Sequence, residues 1–135
     1  MHKRFDSEII VRPSEIDINR HAHQSVYLDY VLFARWDQMK RCYKMPMEEF
    51  FKRGYSWATK STYFEFNKPL YLGDTIIVRA WVEEIRQKSV KVCFQILKKG
   101  TEEVASEGYF VYVLINARTG KPENIPEDII EVYSV

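Results

Sequence analysis

Reactive side chains concentrate in one short stretch, Asp17-Ile18-Asn19-Arg20-His21-Ala22-His23-Gln24, which holds two of the chain's three histidines. The residues that follow, from about Ser25 to Tyr43, have helical spacing, so this cluster sits at a helix N-terminus. Such an end carries unsatisfied backbone N–H groups and the positive pole of the helix dipole. A carboxylate beside those donors suits attack on a carbonyl. Asp17 would attack directly or activate water, Asn19 would orient that water or the carboxylate, and His21 would assist proton transfer or brace the loop. Helix N–H groups near His23 and Gln24 would hold the developing oxyanion.

Each of these residues also has a structural reading. Asp17 taken singly suits a cap or a turn, and Asn19 a left-handed turn position. His21 or His23 taken singly suits a partly buried, satisfied histidine. A metal site built from Asp17, His21 and His23 lacks an obvious fourth ligand, so no metal is expected. Cys42 and Cys93 form no zinc or redox spacing, and no motif pairs Cys42 with a histidine. There is no G-x-S-x-G elbow, and the 5 glycines never fall into G-x-G-x-x-G or a phosphate loop.

The elements that must position the cluster follow from the hydropathy pattern. Phe5 to Arg12 reads as a strand closed by Pro13. The helical stretch is apolar at Val26, Leu28, Val31, Leu32, Phe33 and Trp36, on more than one face, as in helices enclosed by other structure. Pro46 interrupts it, and Met47 to Arg53 reads as a short helix ending at Gly54. From there the period is two: strands are predicted at Trp57–Asn67, Thr75–Ile85, Ser89–Leu97 and Glu103–Ile115. The short connections Arg86–Lys88 and Lys99–Thr101 imply antiparallel hairpins. Pro126, placed at N1, would start a brief terminal helix. In the last strand Tyr109, Val111 and Val113 oppose Phe110, Tyr112 and Leu114, which predicts burial of both faces. One helix cannot cover both faces of such a sheet. The expected class is α+β, with the sheet curled around the helix and an edge or face left for another subunit.

A length of 135 residues fits one domain, taken as residues 1–135. The net charge of +1 argues against a general nucleic-acid binder, which needs a basic surplus to neutralise phosphates. Aromatic residues make up 15%, which suits strands and an apolar pocket. The N-terminus MHKRFDSEIIV lacks the apolar core of a signal peptide. Asp29, Arg35, Asp37 and Gln38 interrupt Val26–Met39, so no membrane span is expected. With only two cysteines, free thiols and a cytoplasmic location are expected.

The segment S-E-I-D-I-N-R-H-A-H-Q-S-V-Y-L-D-Y, Ser14 to Tyr30, resembles the signature of hotdog-fold acyl thioesterases. D-I-N-R-H-A-H-Q is similar to the D-x-N-x-H-V-N-N of plant-type acyl-carrier-protein thioesterases. Asp17 and the helical Tyr27 also match positions in the small acyl-CoA thioesterases that resemble 4-hydroxybenzoyl-CoA thioesterase. Phe64-Glu65-Phe66-Asn67-Lys68-Pro69, before Gly73-Asp74, looks like the family's second strand and turn. The element order matches over essentially the whole chain.

The resemblance implies a hotdog fold, a five-stranded antiparallel sheet curled around one long central helix. It implies hydrolysis of an acyl-CoA or acyl-carrier-protein (ACP) thioester to free acid and thiol. Coenzyme A or ACP would enter as part of the substrate, with no separate cofactor. The family's catalytic Asp falls on Asp17, and the Asn and His of the carrier-protein branch fall on Asn19 and His21. The oxyanion donor of the CoA branch falls on Gln24, with His23 and Tyr27 as neighbouring substrate-binding positions. Arg20 stands where the CoA branch has Gly, and His23-Gln24 stand where the other branch has an Asn pair. The further acid of that branch has no counterpart in Asn67-Lys68-Pro69. Asp17 remains open as nucleophile or general base. A 3-hydroxyacyl dehydratase and a non-catalytic acyl-ligand module are the other readings. A homodimer or homotetramer is the expected assembly.

Overall fold

The computed structural model describes residues 2–135. In chain order it contains β1 (Arg4–Ile10), a 3-10 turn (Pro13–Glu15), α1 (Gln24–Arg41), α2 (Met47–Lys52), β2 (Tyr55–Phe66), β3 (Thr75–Ile85), β4 (Ser89–Lys98), β5 (Val104–Asn116) and α3 (Glu127–Tyr133). The strands form one five-stranded sheet in the order β1-β3-β4-β5-β2. Every pairing in it is antiparallel. β1 and β2 are therefore the two edges, and α1 lies in the connection that carries the chain from one edge to the other.

Period-two spacing puts Ile76, Val78, Ala80 and Val82 of β3 on one face with Val90, Val92, Phe94 and Ile96 of β4, all buried. α1 buries Tyr27, Tyr30, Val31, Ala34, Arg35, Gln38 and Met39, a stripe at helical spacing. Gln38 ties this stripe to the sheet: its amide donates to Ser7 Oγ at 3.1 Å and to the Val78 carbonyl at 3.2 Å. Ser7 in turn donates to Asp37 at 2.6 Å.

The structure departs from the sequence pattern in places. Leu28, Leu32, Phe33 and Trp36 of α1 are exposed, because the sheet covers only one side of the helix. Tyr109, Val111 and Val113 of β5 are only half-buried, and on the opposite face Phe110 and Leu114 are buried while Tyr112 is also half-buried. Ala105 does not keep the alternation. Leu97 pairs with Val104 and Ile96 with Ser106, which leaves Ala105 as the extra residue of a β-bulge, buried beside Ser106. Pro126 is the N-cap of α3 and not its first helical residue.

Candidate active site

The polar loop between β1 and α1 is held by two carboxylates. Glu15, only 5% exposed, accepts hydrogen bonds from the Arg12 N–H (2.9 Å), Arg12 Nε (3.1 Å), Arg12 Nη2 (2.7 Å) and the Tyr30 hydroxyl (2.9 Å). Burial pushes the Glu15 carboxyl up, but the bonds from Arg12 and Tyr30 prevail and hold it below the usual carboxylate value. The Glu15 carbonyl also takes the His23 N–H at 2.9 Å, so the loop is clamped to α1 at both the side chain and the backbone.

Asp17 closes the turn that follows. Its Oδ1 accepts the backbone N–H groups of Asn19 at 2.8 Å and His21 at 3.1 Å. Its own N–H donates to the His21 carbonyl at 2.8 Å, and its carbonyl accepts the Arg20 N–H at 3.0 Å. This turn requires Arg20 at φ 67°, a left-handed position usual for glycine. Isolated bridges join Ile16 to Ala22 and His21 to Tyr71, and the Ala22 N–H donates to the Leu70 carbonyl at 2.8 Å. Asp17 Oδ2 has no hydrogen-bond partner among the described residues.

Immediately after this turn comes the start of α1. His23 is its N-cap and gives no side-chain cap bond. The His23 N–H is already committed to Glu15, and the Val26 N–H to the His23 carbonyl at 3.0 Å. Among the described residues the N–H groups of Gln24 and Ser25 have no acceptor, which leaves two donors at the positive end of an 18-residue helix.

The other residues singled out in the sequence take distinct places. Tyr27 is buried, with its ring edge-on to Phe66 at 5.1 Å and tilted against Tyr30 at 6.2 Å. Burial raises the Tyr27 hydroxyl against the lowering effect of the Leu70 backbone, and the charge of Asp17 adds to the rise. The His21 ring stands edge-on to Tyr71 at 5.3 Å, and the Asn19, His23 and Gln24 side chains are exposed. Neither the Asn19 amide nor the His21 ring hydrogen-bonds Asp17; both residues reach it through backbone N–H groups. Ile18, Phe66, Tyr71 and Leu72 leave apolar surface exposed around the loop. Among the described residues no three His, Cys, Asp or Glu side chains gather as a metal-binding group. In the same residues no helix is long and apolar enough to cross a membrane.

Sequence reasoning missed Glu15 and the Leu70–Tyr71 strap. Arg12-Pro13-Ser14-Glu15 carried a signal for the first: an acid three residues after an N-cap, with proline between, is the spacing of a capping box. The strap depends on a long-range backbone contact that no local pattern announces.

A family model for the thioesterase-like superfamily matches residues 11–132. The fold is similar to that of a DHNA-CoA thioesterase from Staphylococcus aureus, at 21% identity and TM-score 0.89, covering 97% of this chain and 89% of that one. A hypothetical protein from Thermus thermophilus is 25% identical, with TM-score 0.87 and 96% of each chain covered. A hypothetical protein from Staphylococcus aureus in complex with CoA is 19% identical, with TM-score 0.87, covering 98% of this chain and 82% of that one. No curated protein sequence matches. The shared architecture is the hotdog fold.

Proposed function

The chain belongs to the thioesterase-like superfamily, and from that premise we propose that it hydrolyses an acyl thioester carried on coenzyme A or ACP. One observation carries the reading. Asp17 has one carboxylate oxygen fixed by two backbone N–H groups and the other without a partner among the described residues, next to a helix start with two such N–H groups.

With the thioester carbonyl at the helix start, the Gln24 and Ser25 N–H groups stabilise the oxygen as it becomes an oxyanion. Asp17 Oδ2 either attacks the carbonyl carbon or takes a proton from the water that attacks it. The first route gives an acyl-aspartyl anhydride that water then cleaves, and the second a tetrahedral adduct. Both expel a thiolate, and a thiol of pKa about 8.5 leaves without a strong general acid. Asn19 and His21 shape the turn through their backbone N–H groups, and in this reading their side chains meet the water or the acyl carrier. Tyr27 and Phe66, edge-on to each other, supply apolar surface for the acyl group in this reading.

A second copy of the chain completes the assembly in this reading. β2 is a 12-residue edge strand whose middle, Ala58 to Tyr63, is exposed, and such an edge is a template for pairing with another strand. The structural neighbour in complex with CoA favours a coenzyme A carrier in this reading.

The test is release of free thiol from a panel of short-chain, long-chain and aromatic acyl-CoA and acyl-ACP substrates. Turnover of at least one member is expected. No thiol release across the panel contradicts the proposal, and hydration of an enoyl thioester without cleavage would identify a dehydratase instead.

A further inference from the structure

A cavity of about 170 Å³ opens at the other end of α1, between the C-terminal half of that helix, the inner face of the sheet and α3. Its walls are apolar and aromatic, with Trp36, Met39, Trp57, Tyr112 and Ile129 among them. No residue of the Asp17 loop lines it. At 1.5 Å per residue, Arg35 stands about 16 Å along the helix axis from Gln24.

Arg35 is the exception in this wall. It is 8% exposed, it lines the cavity, and its buried Nη1 has no hydrogen-bond partner among the described residues. Among the described residues it belongs to no ion pair. Its guanidinium lies 5.7 Å from the ring centre of Tyr43, which stands outside the cavity lining and whose buried hydroxyl has no hydrogen-bond partner among the described residues. The Tyr133 hydroxyl is already spent on the Met45 carbonyl at 2.8 Å. Burial pushes the hydroxyls of Tyr43, Tyr112 and Tyr133 up, and the positive charge of Arg35 opposes that push on each, most directly at Tyr43, where a side-chain interaction with the guanidinium adds to the opposition.

A buried cation without a counter-ion is costly, and a guanidinium is matched by a planar, two-oxygen anion. A cavity of about 150 Å³ holds a ring the size of benzene. We propose that this chamber is a second binding site, for a compact aromatic or apolar carboxylate, with Arg35 binding the anion. Apolar walls and a single cation suit a monocarboxylate better than a phosphate, whose second charge would stay unpaired. The site does not depend on the thioesterase reading, since any source of such an acid, including acid released by hydrolysis, would fill it.

The experiment compares benzoate with benzyl alcohol, matched in size but uncharged, by calorimetry and by NMR shift mapping on the whole protein. Benzoate is expected to bind about tenfold more tightly or better, with shifts at Arg35 and along α3. In Arg35→Met the preference should fall to about threefold or less, while Arg35→Lys keeps part of it. Asp17→Asn should leave the benzoate affinity unchanged, which separates this site from the catalytic loop. Four results would each overturn the proposal: equal binding of acid and alcohol, no binding at about 10 mM, shifts confined to the Asp17 loop, or a preference that survives Arg35→Met. If a partner subunit fills the chamber or pairs with Arg35, benzoate will fail to bind, and the first comparison needs no variant.

Discussion

Asp17 uses its two oxygens differently. Oδ1 holds the turn through Asn19 and His21, and Oδ2 faces no partner among the described residues. The cap-or-turn reading of Asp17 and the chemical reading therefore apply to different atoms of one side chain. Its neighbour Glu15 serves the scaffold alone. Glu15→Gln should lower stability by about 1.5–3 kcal/mol, the scale of charge-assisted hydrogen bonds, measured by urea unfolding. The sign with pH follows from a folded carboxyl that is harder to protonate than the unfolded one, near 4.3. The Glu15 contribution is fully present above about pH 4.3 and is lost as pH falls through the folded value. Unfolding of the native chain should show this acid loss, and Glu15→Gln should lack it. At this scale the sequence exposed Asp17 through its neighbours and showed only the Arg12 half of the Glu15 contacts, because the other half comes from Tyr30, fifteen residues away.

The strands were legible because their alternation survives at the scale of the element. β3 runs over the predicted Thr75–Ile85, β4 starts at the predicted Ser89, and the remaining strand ends shift by one or two residues. The bulge at Ala105 was not legible: an extra residue in one strand is defined only against its partner. The same holds for Gly108, which pairs with Phe64 across β2 and β5. A Cβ built on Gly108 would lie 1.8 Å from the Tyr63 carbonyl oxygen, so the glycine is what lets β2 approach. Gly108→Ala should destabilise the chain by about 1–3 kcal/mol or more by overpacking, with loss of amide protection concentrated in β2. The apolar second side of α1 was visible in the sequence, but what covers it was not. The sheet takes Tyr30, Val31 and Ala34 and leaves Leu28, Leu32 and Phe33 in the open.

For the whole molecule, exposed apolar residues and an unpaired β2 edge point to assembly. Light scattering should give at least a dimer at micromolar concentration, and hydrogen exchange should show protected amides between Ala58 and Phe66 on the side away from β5. A monomer with fast exchange there would refute β2 pairing. The identity of the acyl group was not legible, because it depends on the volume and partners of a surface that one chain does not close. The central claim concerns Asp17, and Asp17→Asn tests it most directly. Asparagine keeps an Oδ1 acceptor for the turn, so unfolding should shift by no more than about 1 kcal/mol. Thiol release from the best substrate should then fall by about 10²–10⁴-fold in this variant, the range for loss of an acid–base group. Unchanged turnover in a folded Asp17→Asn protein would contradict the account.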